Sequence, residues 1–429
     1  MVSVLIALLV CACMIALILV KPVIRVKNYN LSIYWLPAFA GACLLVALGQ
    51  ISLREIGAGL LKDSEVNPIK ILVLFFSMTL ISMFLDNTGF FSYLAMSTMK
   101  RAGSDQKKLF LSLYAVVSVL TVFTSNDIIV LTFTPFICYF SKNAHIDPKP
   151  YLICEFIAAN TWSMALIVGN PTNIYLSGAA GVGFMEYLKV MLLPTLCAGI
   201  ASLVMLLLLF RKPLSVPMQG GEQLPVRLDR PLMWMGLSFL GGCILLMTVS
   251  QYLSLPMWII SLGCFLGLYL MVSVYLFVCR KPFLPVFNAL KRAPVEIVPF
   301  ILSMFVVVLA LTASGATDKV TKLLEKSPVL FTGVSSFLAA NLINNIPMSV
   351  LFSAIVEPMS AGRSAALFSA VIGSNLGAYF TPIGALAGIM WTGMLRDYEV
   401  KLSFPGFIRL CAPVALVALA AALAVLWIG

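Results

Sequence analysis

Leu166 to Ser177 read LIVGNPTNIYLS, with Gly169, Asn170, Pro171, Thr172 and Asn173 together inside an otherwise apolar segment. Two amides and a hydroxyl are neutral donors and acceptors. They suit an oxygen-rich solute or, at a half-helix N-terminus, an anion, whereas the carbonyls freed by a break suit a hard cation such as Na⁺. Pro171 lacks an N–H and disfavours helical geometry at Asn170, and Gly169 lets the backbone pass without a Cβ. The spacing therefore predicts a helix opened at mid-depth. A second stretch, NLGAYFTPIG from Asn375 to Gly384, matches 160–173 with four fewer residues, which sets Asn170-Pro171 against Thr381-Pro382.

Two further stretches carry the same residue types. TSNDIIVLTFTP (Thr124 to Pro135) matches INNIPMSVLFSA (Ile343 to Ala354), with Asn126-Asp127 facing Asn344-Asn345. Asp127 is a lone carboxylate able to carry a proton or bind Na⁺, and an ionisable group at membrane depth is a functional candidate by default. The candidate contact residues are Ser125, Asn126, Asp127, Asn170, Thr172, Asn173, Asn344, Asn345, Asn375 and Thr381. Gly169, Pro171, Pro382 and Gly384 are the helix-break positions. Asp86 reads as a vestibule or turn-capping carboxylate, Glu155 as a side chain snorkelling to the inner interface, and Glu296 as a dipole partner at a helix start.

Such groups need elements that place them in a membrane. Of the 429 residues, 61% are hydrophobic and 10% charged; with a mean hydropathy of +1.04, too little charge remains to cover a soluble surface. Apolar stretches long enough for a hydrocarbon core of roughly 30 Å recur from end to end. Spans are expected near 2–20, 31–50, 69–94, 150–180, 184–210, 231–250, 255–278, 296–314, 363–395 and 404–428. The interrupted segments 107–142 and 327–356 read as re-entrant hairpins, tolerated only where the tip is buried or lines a cavity. The first segment has no basic n-region or cleavage site and reads as a retained helix.

The matches occur in one order in both halves, and LDNTGFFSYLA from Leu85 also resembles LTASGATDKVT from Leu311, with Gly89 against Gly315. The expected organisation is a first repeat over 1–210 (hairpin 107–142, broken helix 150–180), an inner linker over 211–230, and a second repeat over 231–429 (hairpin 327–356, broken helix 363–395). Five spans and a hairpin per half put the second copy upside down. The fold class is an all-α polytopic membrane protein built as an inverted repeat, and paired broken segments in such a repeat point to a transporter site. With the N-terminus outside, the inner loops hold 19 of the 28 Lys and Arg, as the positive-inside rule requires.

Other classes are disfavoured. One histidine and ten scattered cysteines without a CxxC pair exclude a histidine-rich metal site. No metal or cofactor is expected beyond a coupling ion, H⁺ or Na⁺. No nucleophile–base constellation marks an enzyme, and no GxxxxGK[ST] loop marks an ATPase; a separate ATPase subunit is left open. The net charge of +11 is spread over loops, where it sets topology rather than binding nucleic acid. The partners are the bilayer and a small solute or ion.

LDNTGFF, SNDIIVLTFTP, IVGNPTNI, NLINNIPMSVL and GSNLGAYFTPIGALAGIMW resemble the ion transporter superfamily and, within it, the arsenical pump membrane protein (arsenite permease) family. The resemblance runs over nearly the whole chain. It implies scaffold and transport domains with elevator-type or related alternating access, usually as a homodimer, in the inner membrane of a prokaryote. It also implies arsenite or antimonite export driven by protons. The Asn-Pro-Thr-Asn form is shared with citrate, dicarboxylate and sodium–proton transporters, so cation-coupled carboxylate or other anion transport is the alternative. Asn160 and Asn375 stand where the family would place acids.

Overall fold

The computed structural model describes residues 2–20, 23–26, 29–61, 67–218 and 227–428; part of the expected linker, 219–226, lies outside them. The first half comprises α1 (Val2–Val20), a hairpin of β1 (Val23–Val26) and β2 (Tyr29–Ser32), α2 (Leu36–Ala47), α3 (Leu53–Leu61), α4 (Pro68–Asn87), α5 (Phe90–Ala102), α6 (Gln106–Phe123), α7 (Asn126–Asn143), α8 (Lys149–Trp162), α9 (Pro171–Ala180) and α10 (Phe184–Leu209). The second comprises α11 (Arg230–Thr248), α12 (Ser250–Leu253), α13 (Met257–Val278), α14 (Leu284–Lys291), α15 (Ile297–Ala313), α16 (Ala316–Leu324), α17 (Pro328–Ile343), α18 (Asn345–Val356), α19 (Arg363–Gly377), α20 (Leu386–Asp397) and α21 (Phe404–Ile428).

The protein is a polytopic helical membrane protein with an inverted repeat. Among the described residues, six helices are long and apolar enough to cross a bilayer alone. Two expected spans are shorter or divided. The segment 31–50 holds only the 12-residue α2, about 18 Å of helix. The segment 69–94 ends at Asn87, because Gly89 takes a left-handed φ of 83° and redirects the chain into α5. Gly315 (φ 67°) does the same in the second half, bending α15 against α16 by 85°. A side chain at either glycine would be strained in that conformation.

The opening helices are exchanged between halves. Helices α1 and α2 pack on α15, while α11, α13 and α14 pack on α4. Helices α10 and α21 form a central pair flanked by α8 and α19. Hairpins α6–α7 and α17–α18 turn inside the protein, with Ser125, Asn126, Asn344 and Asn345 all buried at their tips. A buried tip is the condition under which non-helical backbone is tolerated at membrane depth.

Candidate functional site

Both broken helices open over eight residues, 163–170 after α8 and 378–385 after α19. This corrects the four-residue difference expected from the sequence. Thr381-Pro382 is the counterpart of Leu166-Ile167, and Gly384 is the counterpart of Gly169. Each glycine packs against a carbonyl from the start of its own break: a Cβ on Gly169 would overlap Ser163 O, and one on Gly384 would overlap Gly377 O.

The cause of the break also differs from expectation. Pro171 occupies the first position of α9, where its missing N–H would be unbonded in any case. Asn170 is the N-cap, its Oδ1 accepting from Thr172 N and Thr172 Oγ1, both at 3.1 Å. Asn173 Nδ2 donates to the freed carbonyls of Ser163 (2.8 Å) and Leu166 (3.1 Å). The opening is thus held by asparagines and a close glycine contact, not by the proline. Gly169→Ala is expected to lower stability by about 1–3 kcal/mol, since backbone must move to admit the methyl, and to impair transport. Pro171→Ala should stay within about 1 kcal/mol. Thermal unfolding in detergent and vesicle transport compare the two; a silent Gly169→Ala would overturn the close-contact account.

The breaks meet at Asn375. Its Oδ1 accepts from Ser163 Oγ (2.9 Å) and Asn170 Nδ2 (3.0 Å), and its Nδ2 donates to Asn173 Oδ1 (2.7 Å) and Val371 O (2.9 Å). Asn160, at the equivalent place on α8, accepts from Asn126 Nδ2 at 3.0 Å and donates to Phe156 O at 2.8 Å. Asn126, Asn160, Asn170, Asn173 and Asn375 are all buried. Two positions where the resemblance would place acids are therefore occupied by neutral amides bonded into the fold.

On the second break the expected set is incomplete. Thr381 donates through N (3.1 Å) and Oγ1 (2.6 Å) to Asn341 Oδ1, and Asn341 Nδ2 reaches Phe337 O and Gly377 O. Asn341 thus does for this break what Asn173 does for the first, but from a hairpin arm. Its signal, an Asn three residues before Asn344, was visible in NLINN. Asn344 sits at φ 71°, ψ 153°, a region costing of order 1–3 kcal/mol for a residue with a side chain. It is held by Nδ2 to Ile383 O (3.3 Å), while Asn345 N donates to Gly384 O (3.0 Å).

Helix starts also reset the hairpin register. Ser125 and Asn344 are the N-caps and Asn126 and Asn345 the first helical residues, so Asp127 corresponds to Ile346 rather than Asn345. Asp127 lies in the first turn of α7, which favours its negative charge. Ser125 lines a cavity of about 10 Å³ with Thr79 and Ser82 of α4, Thr124, Val168 and Pro171, room for about one water. A far larger cavity, about 930 Å³, reaches Pro382 and Ile383 from the side of Arg396, Glu399 and Lys401. Asp86 closes an ion pair with Arg292 at 2.7 Å and accepts from Thr132 Oγ1 at 2.9 Å, so it joins α4, α7 and the C-terminal end of α14. Glu155 does not snorkel; α7, α8 and α20 bury it completely.

Four helices begin at this centre (α7, α9, α18, α20) and four end there (α6, α8, α17, α19). Amide-rich ends of both polarities can meet anions and cations alike. A model of the citrate transporter family (CitMHS) matches residues 2–371. An arsenical pump membrane protein of Escherichia coli is 27% identical over 420 residues, covering 91% of this chain and 93% of the relative. A putative arsenical pump membrane protein of Bacillus subtilis is 22% identical, covering 90% and 91%. The crystal structure of the Alcanivorax borkumensis YdaH transporter shares the fold, with a TM-score of 0.58 and 14% identity over 100% of this chain and 98% of that one. With the family model covering most of the chain and long relatives agreeing on membrane transport, this chain belongs to the citrate transporter (CitMHS) family of membrane transporters.

Proposed function

We propose that this transporter exports a small inorganic oxyanion or neutral metalloid hydroxide, arsenite or antimonite in the first place, across the inner membrane of a prokaryote in exchange for protons. One observation carries the reading. The centre presents amides and hydroxyls with a single carboxylate, Asp127, in the first hairpin tip, and no Lys or Arg among the described residues of either break or hairpin tip. A multiply charged anion would have to rely on dipole ends alone, whereas a trihydroxy solute needs neutral donors and acceptors. The names of the long relatives support the same substrate. The cavity beside Ser125 has room for about one water, so a solute of this size requires α4 and the first hairpin to separate, as alternating access demands.

The second reading is cation-coupled transport of citrate or a dicarboxylate, favoured by the family model and by the four helix N-termini at the centre. Everted vesicles separate the two. Proton-gradient-dependent accumulation of radiolabelled arsenite is expected. Its absence, with citrate or dicarboxylate uptake under a sodium gradient, would replace the first reading by the second.

A further inference from the structure

Glu155 is a carboxyl with 0% exposure, and no cation pairs with it among the described residues. Both its oxygens lie near Thr134 Oγ1 of α7, at 3.1 and 3.2 Å. Trp391 Nε1 of α20 faces the same carboxyl without closing a hydrogen bond of normal geometry. The other titratable groups facing it are the thiols of Cys138 on α7 and of Cys154 on its own helix. None of the described Lys, Arg or His side chains reaches it from α6, α7, α10, α19, α20 or α21. An isolated carboxylate in such a place is costly unless paired, while the neutral acid can donate to Thr134 and needs no counter-charge.

The surroundings give that acid a route. Phe156 stacks on Trp391 with centroids 4.7 Å apart, and Phe407 meets both edge-on at 5.8 and 5.9 Å. Phe407 also lines the cavity of about 930 Å³ that holds Arg396, Glu399 and Lys401. A chain of ring contacts, Trp391 to Phe407, therefore leads from the carboxyl to a wide charged basin. Trp391 rides on α20, which starts at the second break, so a shift of that half-helix moves these rings. On the other side, Thr134 is seven residues beyond Asp127 on α7, which places both on one helix face about 10 Å apart. Pro135 removes the N–H beside Thr134 and loosens the arm at that point.

We propose that Glu155 is a second proton-binding site of the transport cycle, which exchanges its proton with the basin past the Phe156–Trp391–Phe407 rings. The step moves one proton. The acid's O–H bond breaks, the proton passes to water in the basin, and the carboxylate left behind takes hydrogen bonds from Thr134 O–H and Trp391 N–H. Return of a proton restores the acid. This rests on the proton-coupled reading above.

The test uses the full chain in proteoliposomes, with radiolabelled arsenite as the probe. Glu155→Gln keeps the shape and a partner for Thr134. Gradient-driven accumulation is expected to fall at least about tenfold, while exchange of labelled for unlabelled arsenite without a gradient falls no more than about threefold. Infrared spectra should show a pH-dependent carboxylic-acid C=O band in the wild type that is missing from the variant. Thr134→Val removes a donor to the carboxylate, and the pH at half-maximal accumulation is expected to move upward by about one unit. Retained accumulation in Glu155→Gln overturns the proposal; so does an equal loss of accumulation and exchange, or a band that does not titrate. If wild-type vesicles accumulate no arsenite, the substrate reading fails, and the infrared titration, which needs no substrate, still decides the role of Glu155.

Discussion

Asp127→Asn is expected to reduce ion-driven accumulation to the level of protein-free vesicles while leaving the protein folded. The asparagine has nearly the same shape. Among the described residues no group donates a hydrogen bond to the side chain of Asp127, unlike that of Asp86, which is tied to Arg292 and Thr132. With no bonded partner to lose, the change should cost less than about 0.5 kcal/mol of stability. What disappears is the one negative charge in the first hairpin tip, and with it the group able to exchange a proton or hold Na⁺ there. Accumulation under a gradient, measured at matched protein abundance, checks this. Normal coupled transport by Asp127→Asn would sink the assignment of the coupling ion to the hairpin.

Asn375→Ala is expected to have the largest effect on the fold. The substitution takes away the acceptor for Ser163 Oγ and Asn170 Nδ2 and the donor to Asn173 Oδ1. Ser163 keeps the carbonyl of Asn160 as a partner at 2.9 Å, but Asn170 Nδ2 and Asn173 Oδ1 are left buried without one. Each such group costs roughly 1–3 kcal/mol, and the lost contacts add to it, so a loss of about 3–6 kcal/mol is expected. Both breaks would then lose the residue that joins them, and transport should fail with stability. Ser374→Ala, one residue away, is the control. Ser374 Oγ is buried without a hydrogen-bond partner, so its removal should be close to neutral. Thermal unfolding of the two variants side by side gives the answer: equal midpoints would mean that the amide cluster does not hold the breaks.

Motif matching by residue type found the hairpins, the breaks and nearly all of the central amides, but it misjudged registers. Asn126-Asp127 looks like Asn344-Asn345 as letters. The helix starts, however, align Asn126 with Asn345 and leave Asp127 opposite Ile346. The two prolines invited the same error. Pro171 begins a helix, whereas Pro382 lies in the middle of an eight-residue opening; the counterparts near them are the glycines 169 and 384. The expectation that Glu155 snorkels to the inner interface fails because depth in a bundle depends on which neighbours cover a residue. Here α7 and α20 cover it, from positions remote in the chain.

Membrane residence, the doubled order of elements, the positions where helices open and the neutral character of the centre follow from the sequence itself. Hydropathy, the missing Cβ of glycine and the amide side chain are local properties that any fold must accommodate. The tertiary structure alone decided which amides satisfy one another and which groups remain available. Asn170 and Asn375 are 205 residues apart in the chain and 3.0 Å apart in space, and hydrogen bonding is a matter of distance and direction that no spacing within one segment records. By that pairing Asn170, Asn173 and Asn375 hold the site together, while Asp127 at the hairpin tip and the buried Glu155 keep carboxyls that no cation among the described residues neutralises.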